Sequence, residues 1–389
     1  MSTQTFAEFY PDLGVKIETI AKNLSIPWSI DFAPDGRIFF SERTGTLQVI
    51  DGGVQKQIMK FDVGNGEGGM LGIALDPNFE SNHYIYIYYT YNELFSTKNK
   101  LVRYVESNNS LTNEKIILDG IPGASYHDGG RIKFGPDNKL YITTGDAGNP
   151  NLSQNLDSVA GKILRINSDG TIPEDNPFDS AVYSYGHRNP QGIDWDEFGT
   201  LIATEHGPSG WRGVAHDEIN RIEMSANYGW PDVIGDETKD GLTNPILHSG
   251  DDTWAPSGAA FYYGDQIPHW NGKYFVASLR GEHLLVIDFD LEYNVIFQEK
   301  LFLGEYGRLR DVVNGPDGLY VLTSNQDGRG TPTSNDDRIL RITSLYDTEK
   351  IPDWVENIFL WYSQEQISEL ELLDALKFLI HQGILQVDS

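Results

Sequence analysis

A chain of 389 residues is long enough for one large or two medium domains, and its 40 glycines and 20 tyrosines suit a β-rich chain with many turns. It has no cysteine, which excludes disulfide scaffolds, thiolate zinc sites and cysteine nucleophiles. The net charge of −28, from 29 basic and 57 acidic residues, argues against nucleic acid as a partner, because phosphate contact needs a basic face, and suits a protein that holds calcium.

The first residues, MSTQTFAEFYPDLG, lack the charged and apolar regions of a signal peptide, and no apolar run is long enough to span a bilayer. The expectation is either a cytoplasmic chain or a mature, trimmed form. From there one motif recurs: an apolar residue, a Pro-Asp/Asn-Gly/Asn turn, then an alternating strand. Clear copies are FAPDGRIFFSE (32–42), LDPNFESNHYIYIYY (75–89) and FGPDNKLYITTGD (134–146). Looser ones are WDEFGTLIATEHG (195–207), WNGKYFVASLRG (270–281) and NGPDGLYVLTSN (314–325). A second strand follows each, as in TLQVIDGG (46–53) and GKILRINSDG (161–170). Six such pairs, about 40 to 75 residues apart, predict an all-β fold over residues 1–346: a six-bladed β-propeller with four-stranded antiparallel blades. No helical pattern alternates with the strands, which argues against a βαβ sheet. The long interval from 208 to 265 predicts extended loops on one face.

Residues 347–389 read as a small C-terminal two-helix appendage. Trp354, Val355, Ile358, Trp361 and Tyr362 share one face of the first helix. Ser368 and Glu371 form a capping box for a second helix carrying Leu372, Leu373, Leu376, Leu379 and Ile380, with Gly383 at its end. The appendage either packs on the propeller rim or serves self-association or partner docking.

Chemistry enters with the third copy. Folding residues 125–148 about the Pro136-Asp137-Asn138 turn brings His127 opposite Asp146, within about 5 Å between Cβ atoms. An imidazole beside a carboxylate is how a general base is oriented; a surface His–Asp pair is the alternative. In a propeller, functional groups gather from equivalent loop ends of several blades. By that rule Arg188 and Asn189 precede the fourth blade, and the Gly207 and Pro208 carbonyls after its strand suit a cation. Arg280 follows the fifth blade's strand, and Arg308 and Arg310 project from one face of an extended segment. Glu67 lies in a glycine-rich loop of the second blade. Four arginines at corresponding loop ends imply a small, multiply negative ligand at the propeller centre. Local pairing, with Asp311 or Glu282 for instance, is the alternative for each. Zinc spacings, a GxSxG elbow and a Walker loop are absent.

GEGGMLGIALDP, YHDGGRIKFGPDNKLYITTGDAG, GKILRINSDGTIPEDNPF, YSYGHRNPQGI, TEHGP, DEINRI, NYGWPDV and YGRLRDV resemble the soluble PQQ-dependent aldose sugar dehydrogenases, relatives of soluble glucose dehydrogenase, over roughly residues 15 to 345. The resemblance implies a quinoprotein that oxidises aldose sugars at C1 to aldonolactones by hydride transfer to PQQ, with electrons passed to an external acceptor. It implies His127 as general base, Asp146 as its orienting partner and Arg188 as stabiliser of charge developing on the cofactor. Glu67 and Asn189 would hydrogen-bond PQQ, Arg280, Arg308 and Arg310 would bind its carboxylates, and Trp254 would cover its rings. Gly207 and Pro208 would hold Ca²⁺, and Asp217 and Glu218 match a region that binds further calcium in relatives. Some relatives have Gln in place of Glu67 and Lys in place of Arg280. The resemblance places the work outside the cytoplasmic membrane. Other readings are a calcium-dependent propeller lactonase, which requires a carboxylate-rich central metal cluster, and a non-catalytic binding propeller.

Overall fold

In the computed structural model, which describes residues 7–64, 66–208, 215–346, 353–364 and 366–381, each of the six turns closes a hairpin between the two inner strands of one blade. In the third blade, Ile132–Phe134 pairs with Leu140–Thr144 in the register Ile132↔Ile142, Lys133↔Tyr141 and Phe134↔Leu140. The architecture is the expected six-bladed propeller of antiparallel sheets. Five blades have four strands each; the sixth is completed from the other end of the chain. Val15–Ala21 pairs with Ile339–Ser344, and Ala7–Tyr10 adds a fifth strand outside it. Closure of the ring thus rests on backbone hydrogen bonds between the two ends of the propeller sequence.

The core is distributed. Among the described residues the buried apolar side chains form six clusters, one at each interface between adjacent blades. Polar staples repeat alongside them. Asp31 accepts the N–H of Leu75 in the next blade at 2.7 Å, and Asp194, at the same inner-strand position of blade four, accepts the N–H of Phe261 at 2.8 Å.

The inner strands carry a second repeat. In blades one, two, four, five and six the register slips at the start of the inner strand, between Pro27 and Ser29, Met70 and Ile73, Pro190 and Gly192, Pro256 and Ala259, and Leu309 and Asp311. A β-bulge re-aims the extra side chain. Trp28, Gln191 and Arg310 occupy these bulges and line a cavity at one end of the central channel. One residue further along, Arg131 and Asp311 meet across the axis at 2.7 Å. This ion pair closes the channel, and small residues elsewhere in that ring make room for it. A Cβ on Gly258 would lie 1.8 Å from Asp311 Oδ1.

Two C-terminal helices, Asp353–Ser363 and Glu369–His381, form as expected. The capping box is present: Glu371 accepts the Ser368 N–H at 2.8 Å, and Ser368 Oγ accepts the Glu371 N–H at 3.3 Å. Gly383 and the side chain of Trp354 lie outside the described residues. The predicted apolar faces are only partly covered. Val355, Ile358 and Leu379 are buried, whereas Trp361, Tyr362, Leu373 and Ile380 are exposed. The appendage lies near blade five: burial, and then the field of His381, lowers the pKa of His269 to about 4. No helix among the described residues is long and apolar enough to cross a membrane.

Candidate active site

The channel end opposite the turns opens into three adjoining cavities of about 280, 400 and 780 Å³ that share Glu67 and Arg329. His127 stands in the wall of the outer two, in the left-handed region with φ 63°. Its carbonyl accepts the N–H of Ala147 at 3.2 Å, which keeps the two ends of the hairpin together past the regular ladder. Gly145 permits this approach, since a Cβ there would lie 1.9 Å from the His127 oxygen. The side chains meet: His127 Nδ1 donates to Asp146 Oδ1 at 2.7 Å. Asp146 is fully buried, and its Oδ1 also accepts the Gly148 N–H at 2.8 Å. With Nδ1 committed, Nε2 is the ring nitrogen left to accept a proton.

Arg188 and Asn189 enter from the segment between blades three and four. Their backbone is fixed by Glu205, which accepts the N–H of Arg188 and the Nδ1–H of His187, the latter at 2.8 Å. His187 is buried, and its Nε2 accepts from Ser184 Oγ at 2.8 Å, so it positions Arg188 and takes no place in the cleft. The Arg188 guanidinium donates to the carbonyl of His206 at 3.0 Å. Burial lowers its pKa, and the fields of Asp146, Glu205 and Glu67 oppose that shift. Asn189 Oδ1 accepts from Gly129 N at 3.1 Å and Gln191 Nε2 at 3.3 Å.

The arginines differ in how they are compensated. Arg308 is buried and paired with Asp327, through Nη2 at 2.8 Å and Nε at 3.0 Å. Arg310 is buried beside it with the neutral partners Gln191 Oε1 at 3.1 Å and Ser257 Oγ at 3.3 Å, and its Nε has no partner among the described residues. Burial and then neighbouring Arg43 push its pKa down to about 9, so it stays charged at neutral pH. Asp311 pairs with Arg131 and with neither of them. Arg280 is exposed at the cavity rim.

Glu67 is tied from both sides. Its Oε2 accepts the His127 N–H at 3.2 Å and its Oε1 pairs with Arg329 at 2.9 Å. Burial raises its pKa, but His206, the His127 N–H and Arg329 outweigh that and hold it below the usual range. Gly207 and Pro208 line the cavity beside Arg188, with Gly207 N donating to Asp217 at 2.9 Å. Asp217 also accepts the N–H groups of Trp254 and Ala255 at 2.7 and 2.8 Å, and Glu218 accepts from Gly235 N and Asn220, so both carboxylates already serve the loops.

The structure sets Trp254 apart from the expectation that it covers a cofactor. Its ring belongs to the buried cluster with Ile202, Ile219 and Tyr274 in the interface between blades four and five, and its Nε1 donates to Asp252 at 3.2 Å. Tyr126 lines the outer cavity edge-on to the His127 ring, and among the described residues two tryptophans face the site: Trp28, in the inner cavity, and Trp230, in the outer one. Sequence reasoning passed over both, along with Arg43, Gln191 and Asp327. A signal existed: Pro27-Trp28-Ser29, Pro190-Gln191-Gly192 and Pro256-Ser257-Gly258 repeat at the bulge that aims their middle residue at the channel.

The glucose/sorbosone dehydrogenase family model matches residues 24–341. The chain belongs to this family. It is similar to the quinoprotein glucose dehydrogenase B of Acinetobacter calcoaceticus, 31% identical, with 79% of this chain and 84% of that protein covered. The aldose sugar dehydrogenase YliI of Escherichia coli is 30% identical, with 81% and 91% covered. Among solved structures, the PQQ-bound form of aldose sugar dehydrogenase from Streptomyces coelicolor superposes with a TM-score of 0.77 at 38% identity, covering 85% of this chain and 97% of that one. Family membership places the chain among the sugar oxidoreductases. The C-terminal helices lie beyond the matched residues.

Proposed function

We propose that the protein oxidises the C1 hydroxyl of aldose sugars to aldonolactones, with PQQ as cofactor and Ca²⁺ as metal, and passes the electrons to an external acceptor. The observation that carries this reading is the oriented His127–Asp146 pair in the wall of the outer cavities, which adjoin an inner cavity lined by a buried Arg310 with no carboxylate partner among the described residues. A buried cation with neutral partners and an orphaned N–H suits an anionic group. PQQ, a planar tricarboxylate, fits this donor set. Arg188, Asn189, Arg308 and Arg310 would hold it, with Arg280 at the rim, Gln191 beside it and Trp28 as floor. The Gly207 and Pro208 carbonyls would hold Ca²⁺.

When bound, PQQ supplies a two-electron, hydride-accepting quinone and Ca²⁺ supplies Lewis acidity beside it. The chain's own residues do the rest. His127 Nε2 takes the proton of the C1 hydroxyl as the hydrogen on C1 leaves with its electron pair, so the sugar carbon becomes a lactone carbonyl. Asp146 keeps Nε2 free for this and stabilises the imidazolium. Arg188 places a fixed positive charge where negative charge develops. Glu67, bound to Arg329, is already neutralised and adds no free anion beside the cofactor. The lactonase alternative requires a carboxylate-rich central metal cluster, and no group of three such side chains converges among the described residues.

The test is a PQQ titration of metal-free protein in excess Ca²⁺, followed by desalting and dye reduction with D-glucose and other aldoses. A quinone absorption band that stays with the protein, and sugar-dependent dye reduction, are expected. Loss of the band on desalting would overturn the reading.

A further inference from the structure

We infer that Trp230 is a positioning residue for the oxidation, fixing the carboxylate that orients the base; this rests on the reading of His127 as that base. The indole Nε1 donates to Asp146 Oδ2 at 2.9 Å. It is the counterpart of the His127 bond to Oδ1, so the two oxygens of one buried carboxylate are held from opposite sides. The same ring lies under the Arg188 guanidinium, 5.4 Å from ring centroid to Cζ. One side chain therefore touches both the partner of the base and the cation of the cleft.

Trp230 is built to stay there. It comes from the long loops of blade four but is anchored on blade three. Its N–H donates to the Gly186 carbonyl at 2.9 Å and its own carbonyl accepts from Gln154 Nε2 at 2.7 Å. Gln154 in turn exchanges two amide hydrogen bonds with Asn227, at 3.0 and 2.8 Å. Gln154 sits in the single-turn helix Asn151–Gln154, a few residues past Asp146. The NYGW stretch thus clips the loop after Asp146 to the loop before Arg188.

The consequence follows from the carboxylate's freedom to rotate. Without the indole N–H, Oδ2 is a buried acceptor lacking a donor, while Arg188 lies close enough to attract it. Rotation toward Arg188 draws Oδ1 from His127. A neutral imidazole with no fixed acceptor at Nδ1 populates both tautomers, and one of them blocks Nε2 with a proton. The other groups around His127 are Tyr126, edge-on to its ring at 4.7 Å between centroids, Glu67, which takes its backbone N–H, and Asp128, His206 and Arg329. None of them is hydrogen-bonded to the ring among the described residues, so none replaces Asp146 in setting the tautomer.

Trp230→Phe keeps a ring over Arg188 and removes only the donor. Nitrogen-15 NMR of His127 in the full chain without quinone should show one tautomer, Nδ1–H, in the wild type and a mixture in the variant. With PQQ and Ca²⁺ present, kcat for aldose oxidation should fall about tenfold, a part of the full effect of a general base, with KM unchanged. Should Trp230→Phe fail to fold, Gln154→Ala loosens the same clip from outside the cleft and should show the same mixing. A variant that keeps the single Nδ1–H tautomer and full kcat overturns the inference. If the wild type binds no quinone and oxidises no aldose, yet the tautomer still depends on Trp230, the proposed reaction fails while the positioning role stands.

Discussion

Arg131 and Arg310 stand one position apart in the rings of side chains around the channel axis, and they have opposite fates. Arg131 is neutralised by Asp311, and its guanidinium packs 4.2 Å from the centroid of Trp28. Arg310, 5.7 Å from the same ring, has no carboxylate partner among the described residues. A cation buried in this way costs the empty protein stability and is retained where a ligand compensates it. Arg310→Met should therefore weaken PQQ binding at least about tenfold, the loss of one charge-assisted contact, while leaving the melting temperature of the quinone-free protein unchanged or higher. A quinone titration and a thermal melt check both halves. Unchanged affinity would remove Arg310 from the site. At this scale, His127, Asp146, Arg188, Asn189 and Glu67 were legible because each sits in a short motif at a blade end. Trp254 was misplaced because a tryptophan near a loop end carries no sign of which way its ring turns. That direction goes with the buried cluster of Ile202, Ile219 and Tyr274, residues of two blades that are not adjacent to it in sequence.

Strand alternation and turn chemistry are local, so the six blades could be read from the recurring turns together with the paired strands that follow them. The bulges do not show in strand alternation, because a slipped register breaks it, and are marked only by the proline-led triplets at Pro27, Pro190 and Pro256. They nonetheless deliver Trp28, Gln191 and Arg310 to one cavity. The strand from the N-terminus that closes blade six was also not assigned, since its partner lies more than three hundred residues away. Ile17 of that strand is buried against Val321 and Leu340 in the cluster between blades five and six. Ile17→Ala should cost about 2–5 kcal/mol, measured by denaturant unfolding, because a cavity opens where the ring is joined. A cost of under about 1 kcal/mol, as for an exposed position, would mean that the closing strand is not part of the cooperative unit.

Over the whole molecule, the net charge of −28 and the positive cavity are complementary facts. The chain as a whole is acidic, while Arg43, Arg308, Arg310 and Arg329 line the inner cavity, where an anionic group would find a fixed field in a low dielectric. Six interface cores, in place of one central core, leave the axis free to be a channel, and the Arg131–Asp311 pair gives that channel a floor. The central claim is that His127 removes a proton from the sugar in this cleft. Its most direct test is a stopped-flow measurement of quinone reduction by D-glucose in PQQ- and Ca²⁺-loaded wild type and His127→Ala. The account predicts that the variant retains the quinone and is reduced about 10²–10⁴-fold more slowly, the contribution of a general base. Reduction within a few-fold of the wild-type rate would contradict it.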